Sequence, residues 1–240
     1  MKLTYIYHSG FAIETGTCTI IIDYYHDSGY FPDDGVVYRD ILTRSGKLYV
    51  LATHFHPDHF NIDVLKWKEQ KEDITYIFSK DILKRRRARA EDAIYIRQGE
   101  TYRDDLLTIR AFGSTDAGVS FLIETGGKQI FHAGDLNNWH WTDSSTPEES
   151  AASEAHYMRE LALIVKEVPR LDLLLFPVDA RIGSDYMRGA EQFIDRIPTS
   201  LFSPMHFTEA YAEAAAFRPF AEARGVRFIT WTHKGQSVEF

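Results

Sequence analysis

The chain has 240 residues, 44% hydrophobic and 26% charged, which excludes disordered, collagen-like and coiled-coil classes and leaves ample apolar material for a core. Lys and Arg number 27 against 35 Asp and Glu, a formal net charge of -8 that argues against a general binder of nucleic acid or anionic membrane. Cys18 is the one cysteine, so an intrachain disulfide framework is excluded, and ten histidines hint at chemistry. The opening MKLTYIYHSG lacks an apolar signal core and no apolar run reaches membrane-spanning length, so the expectation is a soluble, cytoplasmic protein.

In chain order, residues 3–7, 11–14 and 19–23 read as strands, with Thr15-Gly16 turning between the last two. Residues 47–52 form a short apolar run of the kind found in buried strands. Ile62, Leu65 and Lys66 fit a helix that ends before a strand over 74–78. A second helix is expected over 81–91, then short strands around Ile94 and over 106–111. Residues 119–124 and 128–132 read as a hairpin around Thr125-Gly126-Gly127. Thr146-Pro147-Glu148-Glu149 opens a helix, with a Thr cap, Pro in the first turn and Glu three residues after the cap. Its buried face takes Tyr157, Leu161, Ile164, Val165 and Val168. Buried strands follow over 171–176 and 201–203, then an Ala-rich helix over 210–224 stopped by Gly225, and closing strands over 226–230 and 236–240. Strands in both halves with helices between them predict two sheets packed face to face with helices outside. No Gly-rich loop follows the first strand, which argues against a plain dinucleotide-binding arrangement.

The most informative stretch is His54-Phe55-His56-Pro57-Asp58-His59. Residues i and i+2 at a strand's end project to one side, so His54 and His56 can share a metal ion. Pro57 turns the chain and lets Asp58 and His59 approach from another direction. Imidazoles with a carboxylate suit zinc, and manganese or iron where more oxygen ligands join. The plain alternative is a surface turn with incidental histidines.

Here the sequence resembles the metallo-β-lactamase-fold hydrolases, in order and over almost the whole chain. His8-Ser9-Gly10-Phe11-Ala12-Ile13-Glu14 resembles the opening hairpin of the branch with ascorbate-phosphate lactonase-like proteins, and Ile22-Asp23 the acidic end of its third strand. His132-Ala133-Gly134-Asp135 resembles the strand whose final Asp bridges two metals, and Pro204-Met205-His206 the segment giving the last histidine. The resemblance implies an α/β fold, a four-layer αββα sandwich in one domain over 1–240, with one or two zinc ions at one edge of the sheets. It assigns His54 and His56 to one ion, Asp58, His59 and His206 to the other, and Asp135 to both. Taken singly, Asp135 also reads as a turn cap and His206 as a core histidine.

One departure matters. The family places a further histidine for the first ion just before the strand over 119–124, and Ser114 aligns with it here. Neutral serine is a poor zinc ligand, so the first site is expected to be weakened, with Asp116 near enough to substitute or to support from behind. His140, in Asn137-Asn138-Trp139-His140-Trp141, either reaches inward or stacks among the tryptophans. His8 and Asp179 stand at strand ends, where each serves the site through a hydrogen bond or plays a local structural role. For Asp179 the options are substrate binding or orienting a histidine, against simple turn capping. Lys84-Arg85-Arg86-Arg87-Ala88-Arg89 reads as a solvated face.

The function these residues imply is hydrolysis of a small-molecule ester, lactone or phosphodiester. A bound metal lowers the pKa of water from near 16 to about 7, and Asp58 is the expected catalytic carboxylate, orienting that water or shuttling its proton. The alternative is a metal-binding or ligand-sensing protein of the same fold with impaired catalysis, for which Ser114 is the main support. The expected partner is a small-molecule substrate, with neither nucleic acid nor membrane.

Overall fold

The computed structural model describes residues 1–31 and 33–240. In chain order its first strands are β1 (Lys2–Tyr7), β2 (Gly10–Glu14), β3 (Cys18–Ile22), β4 (Lys47–Ala52), β5 (Ile74–Ser79) and β6 (Ile94–Ile96). The later ones are β7 (Thr101–Arg103), β8 (Leu107–Phe112), β9 (Ser120–Thr125), β10 (Lys128–His132), β11 (Leu173–Pro177), β12 (Leu201–Met205), β13 (Arg227–Phe228) and β14 (Ser237–Glu239). The α-helices are α1 (Lys80–Lys84), α2 (Pro147–Glu167), α3 (Arg188–Ile194), α4 (Tyr211–Ala215) and α5 (Arg218–Ala223).

Two seven-stranded sheets result, in the orders β14-β1-β2-β3-β4-β5-β6 and β13-β12-β11-β10-β9-β8-β7. Each is mixed: β3 through β6 pair in parallel, as do β10 through β13, while the remaining neighbours pair antiparallel. The architecture is the expected α/β sandwich, two sheets face to face with helices outside. Period-2 alternation explains how one strand serves two layers. Leu3, Tyr5, Phe11, Ile13, Tyr49 and Leu51 enter the core between the sheets, while Ile6, Ala12, Leu48, Val50 and Ala52 face an outer layer with Val64 and Trp67.

Several elements differ from expectation, each for a local reason. Residues 62–69 form a 3-10 helix capped by the Asn61 side chain, and its tighter winding turns Val64 and Trp67 inward while Ile62 is 51% exposed. The expected helix over 81–91 stops at Lys84 because Arg86 takes a left-handed conformation (φ 56°). Arg86 N then donates to the Leu83 carbonyl and Arg87 N to that of Ile82, closing the helix end. The arginines that follow sit in the turn and on the surface. The capping box of α2 is present at Thr146 and Glu149, but Val165 lies on the rim of the apolar stripe and is 38% exposed. The expected single helix over 210–224 is two, α4 and α5, because Pro219 has no N–H to continue the ladder and instead occupies the first turn of α5. The closing strands are shorter than expected, and β7, α3 and a π-helical turn at Val37–Ile41 were not anticipated. No helix of the described residues is long and apolar enough to cross a membrane.

Candidate metal centre

The ends of β1, β3, β4, β10, β11 and β12 meet at one edge of the two sheets, and the segments leaving them carry His8, Asp23, His54, Asp135, Asp179 and His206. His8, Asp23 and His206 each directly follow a strand and take left-handed backbone angles (φ 58°, 49° and 64°), which non-glycine residues adopt at a cost. That sharp turn swings each side chain back over the strand ends. His206 N donates to the His8 carbonyl at 3.1 Å, tying the two sheets together across the site.

Three imidazoles are held in the same tautomer by groups behind them. His59 Nδ1–H donates to Asp23 Oδ2 at 2.7 Å, since a carboxylate only accepts. Thr53 Oγ1 donates to the same carboxylate at 2.6 Å, and the hydroxyl therefore accepts from His54 Nδ1–H at 3.0 Å. His206 Nδ1–H donates to Asp179 Oδ2 at 2.9 Å. Each ring is thus left with a bare Nε2 lone pair, and all three point at Asp135. His54 Nε2 is 3.2 Å from Oδ2, while His59 and His206 Nε2 lie 3.1 and 3.3 Å from Oδ1. Asp58 Oδ2 stands 3.8 and 3.9 Å from the same nitrogens of His59 and His206, and 3.3 Å from His8 Nε2. On the other side, His56 Nδ1 is 3.4 Å from Asp116 Oδ2.

The potential ligand atoms form two groups, His8, Asp58, His59 and His206 in one and His54, His56, Asp116 and Asp135 in the other, each within 4.8 Å of one another. His54 Nε2, His59 Nε2 and Asp135 Oδ1 are buried without a hydrogen bond among the described residues, which is costly unless a cation completes them. Electrostatics lead to the same conclusion. Burial works against a charged His59, yet Asp135 and Asp23 outweigh it and raise the imidazole well above its ordinary value. Burial likewise opposes an ionised Asp135, and His59, His206 and His54 hold it well below the usual carboxylate range. The centre therefore calls for positive charge between these atoms, and imidazole with carboxylate donors fits a divalent ion.

Of the sequence candidates, Ser114 supports Asp116 from behind, its hydroxyl accepting from Asp116 N at 3.4 Å. His140 does not reach inward: its Nδ1 meets Thr142 Oγ1 at 2.5 Å and its Nε2 the Asp185 carbonyl at 3.1 Å. Burial pushes His8 down to about 4 despite its bond to Asp58, and Asp179 is tied to His206 and Arg181 together. Sequence reasoning missed Thr53, whose hydroxyl relays between Asp23 and His54, and Arg181, which follows Asp179 by two residues. A Thr beside a histidine pair was the available signal for the first; nothing in the sequence singled out the second. A cleft of about 520 Å³ opens over the centre, lined by His56, Asp58, Asp135, His206, Thr115, Asp116, Ser153, Trp139, Trp141, Asp179 and Arg181. Trp139 and Trp141 stack at 6.1 Å in its wall.

This fold is shared with Igni18, a metallo hydrolase from the hyperthermophilic archaeon Ignicoccus hospitalis, at 20% identity and a TM-score of 0.67, covering 100% of this chain and 98% of that one. It is also similar to YhfI, a metallo-beta-lactamase fold protein from Bacillus subtilis, at 11% identity and a TM-score of 0.64, covering 99% of each chain. CmlA, a diiron beta-hydroxylase from Streptomyces venezuelae, matches at 13% identity and a TM-score of 0.68, and this chain spans 54% of its length while being covered over 100% of its own. No curated protein matches the sequence. The model of the beta-lactamase superfamily domain matches residues 2–149, more than half of the chain and the part that supplies every residue of the centre except Asp179, Arg181 and His206. The chain belongs to the beta-lactamase superfamily domain family.

Proposed function

We propose that the chain is a metal-dependent hydrolase acting on a small-molecule ester, lactone or phosphodiester. The observation that supports this best is the set of three imidazoles whose Nδ1 atoms are engaged and whose Nε2 lone pairs converge on Asp135. In this reading His54, His56 and Asp116 hold one ion, Asp58, His59 and His206 the other, and Asp135 contacts both, with His8 beside Asp58. Zinc is the proposed ion, with manganese or iron as alternatives that the Asp116 carboxylate favours. The proposed branch is that of the ascorbate-phosphate lactonase-like proteins, supported by the opening hairpin, and the proposed setting is the cytoplasm.

A divalent ion held here supplies a Lewis acid and acidifies a water toward neutral pH. The chain's own residues do the rest. Burial opposes ionisation of Asp58, but the His8 hydrogen bond and the nearby His59 and His206 hold it well below the usual carboxylate range. It is therefore ionised at neutral pH, suited to orienting a proton donor and passing the proton on rather than keeping it. Asp23 and Asp179 keep the rings of His59 and His206 in place. Trp139, fixed by its Nε1–H to the Asp135 carbonyl at 2.8 Å, closes one side against water. The rival reading, a catalytically impaired sensor, rests on the missing histidine at Ser114, and Asp116, 3.4 Å from His56, is the proposed replacement.

The test is metal analysis of the purified protein followed by turnover of 4-nitrophenyl esters, lactones and bis(4-nitrophenyl) phosphate. Asp58→Asn is expected to keep the fold and at least part of the metal while losing about 100-fold or more in rate. A protein that takes up no divalent ion, or wild-type turnover by Asp58→Asn, overturns the assignment.

A further inference from the structure

Arg181 is the one fixed cation among the residues lining the cleft. Its Nε and Nη2 grip the Asp179 carboxylate at 2.6 to 3.0 Å, and Asp179 is 3% exposed, so the guanidinium stands on a buried anchor. Arg181 keeps 57% of its side chain exposed, its Nη1 makes no hydrogen bond among the described residues, and it lines the cleft over the centre. Nη2 lies 3.2 Å from His206 Nδ1, which puts the guanidinium one imidazole ring away from the carboxylate cluster. The same cleft carries a flat apolar wall: Trp139 packs edge-on to His206 at 5.5 Å, and Trp141 stacks on Trp139 at an interplanar angle of 16°.

We propose that Arg181 selects anionic substrates, a carboxylate or phosphate group a few bonds from the cleaved bond, whose planar or apolar body lies along Trp139 and Trp141. The inference rests on the two-ion reading of this centre. Asp179 engages only the Nε and Nη2 edge of the guanidinium, so the exposed Nη1 side is the part left to meet an anion in the cleft. A planar guanidinium with free N–H groups matches a carboxylate or phosphate in shape as well as charge. Being preset by Asp179, it loses little freedom when the anion arrives.

The experiment uses the zinc-loaded full chain and two probes of one shape, phenylacetate and neutral phenylacetamide, with quenching of tryptophan fluorescence as the readout. Phenylacetate is expected to bind at least about tenfold more tightly than phenylacetamide. Arg181→Gln is expected to weaken phenylacetate by about tenfold or more and phenylacetamide by less than about twofold, with Arg181→Lys between them. Equal phenylacetate binding by wild type and Arg181→Gln assigns the anion to the zinc alone and overturns the proposal, as does a wild type that binds neither probe or both alike. Loss of zinc from Arg181→Gln overturns it too, since the arginine then serves His206 rather than substrate. Zinc content measured first separates the two readings. A wild type without zinc sinks both, whereas a zinc-loaded protein blind to probe charge sinks this one alone.

Discussion

Asp116 stands 3.4 Å from His56 in the corner where the family resemblance leads one to expect an imidazole. A carboxylate there is a harder donor than nitrogen, and at 50% side-chain exposure it is the most loosely held member of its group. Removing it leaves His54, His56 and the shared Asp135, one donor fewer than Asp58, His59, His206 and Asp135 offer the other ion, and so the weaker site. Asp116→Ala is therefore expected to lower the metal content by about one ion per chain, while Asp116→His retains it and shifts preference from manganese toward zinc. Mass-spectrometric metal analysis after dialysis checks this, and an unchanged ion count in Asp116→Ala removes the residue from the centre. Ser114 aligns with the family's histidine, and Asp116, named from the sequence as near enough to substitute, is brought beside His56 by the loop from Gly113 to Gly118.

At the scale of elements, the centre depends on backbones that approach closely behind the side chains. Gly118, just before β9, has φ of +65°, and a Cβ there would collide with the Thr53 carbonyl and the His54 Cβ. Val119 N donates to that same Thr53 carbonyl at 3.0 Å, so the contact ties the second sheet to the loop that carries His54. Gly118→Ala is expected to cost about 3 kcal/mol or more and to lower metal content, because the added methyl meets backbone that cannot step aside. Gly127→Ala is the control: φ is +74° but nothing lies within 4 Å, so the cost is about 1 kcal/mol, with metal unaffected. Urea midpoints and metal content of the two variants give the comparison. Equal loss in both would show that the Thr53–Gly118 contact is not what positions His54.

For the whole molecule, the centre is where the two sheets bring buried carboxylates and imidazoles together. Asp23 and Asp135 are buried beside His54, His59, His132 and His206, contributed by both halves of the chain. An ion that binds the folded chain and not the unfolded one stabilises by about 2.7 kcal/mol at a hundred times its dissociation constant. For a chain of this size that corresponds to roughly 5–10 °C in Tm. Chelation is accordingly expected to lower Tm by about that amount, and added zinc to restore it. A Tm indifferent to chelator would mean that the cluster satisfies itself without metal.

The sequence alone determined what depends on neighbours in the chain. The strand runs over 3–7, 11–14 and 47–52 are legible in the chain, the cap at Thr146 starts α2, and His54-Phe55-His56-Pro57-Asp58-His59 marks where a strand ends in ligand-forming side chains. With Asp135 and His206 taken from the resemblance, these name six residues that the fold brings to one edge. The tertiary structure decided the rest, for reasons that no local pattern contains. Pro219 splits a helix that Ala-rich composition favours, and Arg86 ends α1 in a conformation usually left to glycine. Asp116 rather than Ser114 meets His56, and Arg181 reaches the cleft only because Asp179 and His206 lie on adjacent parallel strand ends. These choices turn on contacts between residues far apart in sequence, where packing and charge in the assembled sheets outweigh the preference of any single segment.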